Sequence, residues 1–330
     1  MDGITDEAFR LVQTKISKPD LMFTEFVSAE GISRGGIKLY DTLLFSPEER
    51  PIIGQLFGKD PQSFYKSAII LCELGFDGVD INMGCPAKTV TQHGSGASLI
   101  AKPDLAVQII QSTKKGINDW LSGKVKIIDL DLNKKTLEVI KRNQKYSQIS
   151  TIYQLRPTIS IKTRLGISES TIDSWIPVLL DQGLDFLTIH GRTLKQAYAG
   201  VANWNEIKKV VKLAKNTKTK IFGNGDVQNR EQGLEHCKKY GVDGVLIGRV
   251  AGGNPWCFNN HIATPPEKFS AMLLHAQIFQ KVFPHRQFDS LRKHFLLYTK
   301  NLSNAKQLRM KLVRLNSVKE LLALEDEFLS

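Results

Sequence analysis

Cys85 stands in Asn82-Met83-Gly84-Cys85-Pro86, where an apolar run stops at a glycine and a proline. A thiol at such a turn serves as a nucleophile or as a general acid. Other reactive groups recur in the same setting. Gln55 follows Pro51–Gly54, Lys162 and Arg164 close a run from Thr158, and His190 and Arg192 close one from Phe186. Asn224, Gly225 and Asp226 follow Lys220–Gly223, and Gly248-Arg249 follow Gly244–Ile247. Ser160, Lys162 and Arg164 alternate with apolar neighbours and so share one strand face. If that face lines a barrel interior, Lys162 and Arg164 need polar or anionic partners. A bound anionic group answers that need, and so does an ion pair with Asp80 or Glu25. His190 is either a donor to a carbonyl or phosphate, or a satisfied structural histidine. The glycines of 223–226 and 247–249 let backbone N–H groups approach a phosphate, with Arg249 adding charge. Two ordinary glycine turns are the alternative.

These groups need a scaffold that brings strand ends together. Strand-like runs lie at 21–27, 51–58, 78–84, 158–166, 186–192, 220–227 and 244–250. Helix signals separate them: Asp60-Pro61, Lys102-Pro103-Asp104, Ser168 and Asn203 as starts, Gly75 and Gly183 as stops. Strand and helix in alternation predict an α/β fold with a parallel sheet, here a (β/α)8 TIM barrel with its reactive groups at the C-terminal strand ends. Met1–Asp6 reads as a strand-to-helix loop, so the first strand is expected to be truncated from this sequence. Residues 118–157 break the repeat and are expected as an insertion at the face opposite the reactive ends. The polar, glycine-rich stretch after Cys85 reads as a mobile loop closing over the rim. From about Phe258 the strand pattern ends, Thr264-Pro265-Pro266 reads as a linker, and three helices follow. The expected division is a barrel of residues 1–257 and a small all-helical C-terminal domain of residues 258–330.

The chain of 330 residues carries a net charge of +12, which favours a polyanionic partner such as nucleic acid. Residues 286–319 hold nine Lys/Arg, Arg309 and Lys311 among them, and a single acid, Asp289. No apolar run approaches the roughly 20 residues of a membrane helix. Met1–Arg10 is too polar for a signal peptide. The four cysteines form no CxxC pair, so neither a zinc site nor a redox pair is expected. A cytoplasmic, reduced monomer is the default expectation.

Taken together, MDGITDEAFR, GQLFG, DINMGCPAKTV with GSGASL, IKTRLG, TIHGRT, GNGD and IGR resemble, in order and spacing, the motifs of the tRNA-dihydrouridine synthases. The likeness is strong over residues 1–257 and extends to the tail by architecture. It implies FMN as cofactor, NADPH as reductant and reduction of the C5–C6 bond of uridines in tRNA. By motif it places FMN on Met1, Asp2, Gln55, Lys162, His190, Asn224, Gly225, Asp226, Gly248 and Arg249. It implies Cys85 as the proton donor to C5, opposite the hydride delivered to C6, with Asn82 and Arg164 near the target nucleotide. Arg309 and Lys311 are expected to meet tRNA phosphates. The competing expectation is an FMN barrel acting on a free pyrimidine, as dihydroorotate dehydrogenases do.

Overall fold

The computed structural model describes residues 1–149 and 156–329. Among them seven strands lie in sequence order, each parallel to the next: β1 (Met22–Ser28), β2 (Ile52–Phe57), β3 (Gly78–Met83), β4 (Thr158–Arg164), β5 (Phe186–His190), β6 (Lys220–Asn224) and β7 (Gly244–Leu246). Parallel neighbours oblige each connection to return outside the sheet. Helix α1 (Glu7–Ser17) precedes β1. Helix α2 (Ala29–Ser33) and two 3-10 turns lead to β2, and α3 (Pro61–Glu73) leads to β3. Helices α4 (Lys88–Thr91), α5 (Pro103–Leu121) and α6 (Lys134–Tyr146) lie between β3 and β4. Helices α7 (Ile172–Leu180), α8 (Trp204–Leu213) and α9 (Arg230–Tyr240) follow β4, β5 and β6.

The sheet curls on itself as a TIM-like barrel does. Phe23 of β1 meets Phe186 of β5, which is not its hydrogen-bonded neighbour, at 6.2 Å between ring centroids. Phe186 stacks on Phe222 of β6 at 4.9 Å. Along β5 the residues on this inner face run Phe186, Thr188, His190, and along β4 they run Ser160, Lys162, Arg164. The interior therefore turns from aromatic to polar toward the C-terminal strand ends. The alternate residues Val79, Ile81, Ile159, Ile161, Leu187 and Ile189 are fully buried in the core shared with the outer helices. Register is fixed by an Asp one residue ahead of every second strand. Asp77, Asp185 and Asp243 accept the N–H of Ile52, Ile159 and Ile221, near the start of the preceding strand, at 2.7, 2.7 and 2.8 Å.

Asp60 and Asn203 cap α3 and α8 as expected. Ser168 caps nothing: α7 starts at Ile172, because Thr171 N–H donates to the Leu165 carbonyl and closes the loop first. Thr264-Pro265-Pro266 is a helix start, not a linker. Glu267 accepts both the N–H and the hydroxyl of Thr264, and Pro265 opens α10 (Pro265–Val282), a first-turn position that proline fits. Beyond it lie α11 (Arg292–Tyr298), α12 (Ala305–Leu312), α13 (Val318–Leu322) and α14 (Glu325–Leu329). The expected last helix is thus three short ones, with α13 restarted by a Ser317 cap.

The stretch 118–157, of which 150–155 lie outside the described residues, sends α6 along the connection between β1 and β2. Thr136 Oγ1, Asn143 Nδ2 and Ser147 Oγ donate to the carbonyls of Gly35, Tyr40 and Phe45 at 3.1, 2.9 and 2.7 Å. That connection has no long helix of its own, and α6 covers it.

A second core joins α1 to the tail: Ala8, Leu11, Val12, Leu44 and Trp256 cluster with Phe269, Met272, Phe279, Phe295 and Leu312. Beside it, the His275 and His294 rings pack at 4.7 Å, with His275 Nε2 and His294 Nδ1 unpartnered among the described residues. Burial pushes the His294 imidazole down to about 4, with Asp6 opposing and Lys293 adding to the shift, and burial, then His294, holds His275 well below its ordinary value. An unfolded histidine binds its proton near 6.5, so between about 6.5 and 4 the unfolded chain holds more protons. Stability is complete above that window and is lost as pH falls through it. On acidification from pH 7 to 4.5 the protein should lose about 2.5 kcal/mol more stability than its His294→Leu variant. Urea unfolding at the two pH values measures this, and equal losses in both chains would remove His294 as the cause.

Candidate active site

The inner faces of β2, β3 and β4 carry a closed hydrogen-bond network. Asp80 is fully buried; Ser160 Oγ and Gln55 Nε2 donate to its two oxygens at 2.6 and 2.8 Å. Gln55 Oε1 in turn accepts from Asn82 Nδ2 at 2.9 Å. Burial raises the Asp80 carboxyl to about 6 despite these donors. Lys162 sits beside Asn82 and Thr188 in the sheet. Burial and then Arg164 push its ammonium down to about 8, against the pull of Asp80. No carboxylate lies within ion-pair distance of Lys162 among the described residues, so the ion pair weighed from sequence is not made to Asp80 or Glu25.

Asn82 also shapes the turn after β3. Its Oδ1 accepts the N–H of Gly84 at 3.1 Å and of Cys85 at 2.9 Å. Arg164 clasps the same turn from β4. Its Nε donates to the Gly84 carbonyl at 2.7 Å, and Nη1 donates to the carbonyls of Thr193 and Ala197 at 3.1 and 3.2 Å. Cys85 is buried, and burial pushes its thiol up despite the N–H of Ala87 and the nearby charges of Arg164 and Lys162. The group that results is a protonated thiol fixed at the barrel mouth. The stretch after it folds back, with Ala97 N–H donating to the Cys85 carbonyl at 3.3 Å.

A cation-rich corner completes the mouth at β5, β6 and β7. Arg192 is almost fully buried. It donates to Asp226 Oδ2 at 2.7 Å, to the carbonyls of Gly200 and Ala199 at 2.7 and 3.3 Å, and to His190 Nε2 at 3.3 Å. Because a guanidinium only donates, His190 Nε2 accepts and the ring proton is assigned to Nδ1. Burial, then Lys162, Arg164, Arg192 and Arg249, push His190 down to about 2, so it is a neutral imidazole. Burial pushes the Asp226 carboxyl up, but the Ala202 N–H and both guanidiniums outweigh it and the net shift is down. Arg249 reaches Asp226 Oδ1 at 2.9 Å and lies over the Tyr198 ring at 5.2 Å. Asn224 Nδ2 donates to the Leu246 carbonyl at 3.0 Å. Gly225 has φ +132°, and a Cβ there would come within 2.5 Å of Ala202 Cβ, so only glycine fits.

The structure thus brings Gln55, Asn82, Cys85, Lys162, Arg164, His190, Asn224, Asp226 and Arg249 to one end of the barrel. Met1 joins them, its Sδ lying 3.9 Å from where a Gly248 Cβ would sit, and the Asp2 carboxylate acts on the Cys85 thiol. Arg309 and Lys311 are elsewhere, on α12. Arg309 donates to Thr299 Oγ1 at 2.8 Å, and Lys311 is ion-paired to Glu327 at 2.6 Å. Two groups went unassigned in the sequence: Ser160, and Arg192 with its hold on Asp226. The only local signal for Arg192 is its place just after a strand end.

A family model described as dihydrouridine synthase matches residues 1–146 and 153–330. Helix α6, outside the strand-and-helix repeat, therefore lies within the matched residues. A probable tRNA-dihydrouridine synthase of Staphylococcus aureus (strain COL) is 34% identical over 341 residues, covering 99% of this chain and 91% of that protein. A probable tRNA-dihydrouridine synthase 2 of Bacillus subtilis (strain 168) is 30% identical over 339 residues, covering 99% of this chain and 92% of that protein. Among solved structures, a DHODH from Eimeria tenella in complex with ferulenol aligns over 71% of this chain and 58% of its own, with 12% identity and a TM-score of 0.40.

Proposed function

Because this chain belongs to the dihydrouridine synthase family, we infer that its barrel mouth reduces the C5–C6 bond of uridines in tRNA, with FMN as cofactor and NADPH as reductant. The observation that carries the reading is one mouth holding both a surplus of cations and a protonated thiol. Among the described residues, Asp226 is the one carboxylate ion-paired to Lys162, Arg164, Arg192 or Arg249, while Asp80 acts on Lys162 and Asp2 on Cys85 from farther off, and His190 is neutral. A phosphate and an electron-rich ring fit that surplus.

In this reading Gln55, Lys162, His190, Asn224 to Asp226, Gly248 and Arg249 hold FMN, with Met1 and Asp2 alongside. Bound and reduced, FMN supplies the hydride that C6 of the uracil ring takes. Cys85 then gives the Sγ proton to C5, and burial keeps that proton in place at neutral pH. Lys162 offsets negative charge on a ring oxygen. In this reading Asn82 and Arg164 lie near the target nucleotide and also hold Gly84 and Cys85 in place. The base has to leave its stack to enter the mouth. Family membership favours a polynucleotide substrate over the free pyrimidine weighed from the sequence. The rest of the proposal is a barrel of residues 1–257 and a helical RNA-docking unit of residues 258–330 with Arg309 and Lys311, working as a cytoplasmic monomer. No helix among the described residues is long and apolar enough to cross a membrane.

Position-resolved mapping of dihydrouridine in tRNA from cells lacking the gene tests the reading. At least one position should lose the modification and regain it when the gene is restored. An unchanged map, together with a purified protein free of flavin absorbance, would end the proposal.

A further inference from the structure

Helix α6 is sharply two-faced. Thr136, Ile140, Asn143 and Ser147, spaced by four, three and four residues, form its buried stripe. Lys134, Glu138, Lys141 and Lys145 follow the same spacing two residues earlier and form the opposite, exposed stripe. With Lys135 and Arg142, the exposed side of α6 carries five cations and one acid. Arg142 is committed to Asp41 at 3.4 Å. Lys134, Lys135, Lys141 and Lys145 have no ion pair among the described residues, whereas Lys311 of the tail is already held by Glu327.

The position of this face matters as much as its charge. The start of α6 packs on Gly35, just after α2 in the connection from β1 to β2, and exposed Arg34 and Lys38 flank that contact. Asp41 in the same connection also takes His285 at 3.0 Å and Arg286 at 4.0 Å from the segment after α10. Asp41 thus ties α6 to the helical tail, and Arg142 of α6 and Arg286 of the tail meet at it.

We propose that the exposed face of α6 is a second phosphate-contacting surface that holds the tRNA substrate while a uridine occupies the mouth. This rests on the tRNA reading above. A solvated face would gain from interspersed carboxylates, and this one has a single Glu138. An RNA backbone supplies the missing negative charge.

The test uses the FMN-loaded full chain with Lys134→Glu, Lys141→Glu and Lys145→Glu combined. Its Kd for a tRNA transcript at low salt should rise about tenfold or more. The slope of log affinity against log salt should flatten by roughly 2 to 3, near 0.9 for each phosphate no longer neutralised. Flavin content, the thermal midpoint and tRNA-independent NADPH oxidation should stay at the parent level. The matching triple Lys→Arg variant should keep parent affinity. A triple Glu variant with parent Kd and parent salt slope overturns the proposal. So does a loss of binding to phosphatidylglycerol vesicles with tRNA affinity intact, which would assign the face to anionic lipid. If instead the parent protein neither binds nor modifies tRNA, the functional reading itself has failed, and this surface goes with it.

Discussion

Cys85→Ala should bind FMN and oxidise NADPH with an artificial acceptor at close to the parent rate, yet turn over uridine in tRNA about 10²- to 10⁴-fold more slowly. The magnitude is that of losing one positioned general acid. The physical basis is local: the turn is held by Asn82 Oδ1 on two backbone N–H groups and by Arg164 on the Gly84 carbonyl, none of which needs the sulfur. The alanine variant therefore keeps its mouth and loses only its proton. Burial raises the thiol, so the alkaline limb of the parent rate profile should lie above the ordinary thiol value of about 8.5, and Cys85→Ala should lack that limb. Single-turnover measurement of dihydrouridine formation across pH decides the matter. A variant that modifies tRNA at the parent rate would exclude the thiol as proton donor.

Arg192→Met should cost about 3 kcal/mol of stability and weaken FMN binding at least tenfold. The substitution preserves most of the side-chain volume but strips donors from the carbonyls of Ala199 and Gly200, from His190 Nε2 and from Asp226 at once. Asp226 would keep Arg249 and the Ala202 N–H, while the 199–200 segment would lose its tie to the strand end. Lysine in the same place should recover little, since a single ammonium cannot bridge so many acceptors. Denaturant midpoints and a flavin titration measure the two effects independently. Parent-like flavin affinity in a destabilised Arg192→Met protein would reduce this residue to a structural brace with no part in the cofactor corner.

Much of the barrel can be read along the chain because its signals are local. Alternation at Ser160, Lys162 and Arg164 announces which side chains share a face, and the Asp60-Pro61 and Gly75 signals mark one helix from start to end. Thr264-Pro265-Pro266 shows the limit. The dipeptide that breaks a chain also starts a helix, and only the reach of Glu267 back to Thr264 decides between them. Ser168 fails likewise, because a carbonyl at Leu165 claims the loop before a helix can form.

By itself the amino-acid order determined that polar groups would end seven parallel strands, and that Cys85 would sit among them, since strand period and turn residues act over only a few positions. What those groups touch was decided by the tertiary structure. Arg164, expected near the nucleotide, is engaged by carbonyls 29, 33 and 80 residues away in the chain. Arg192 reaches Asp226 34 residues on. Helix α1 shares its core with a tail some 250 residues distant, and α6 covers a connection about 100 residues before it. Such pairings depend on how far the sheet curls and in what register its strands meet, and no local pattern of residues carries that information.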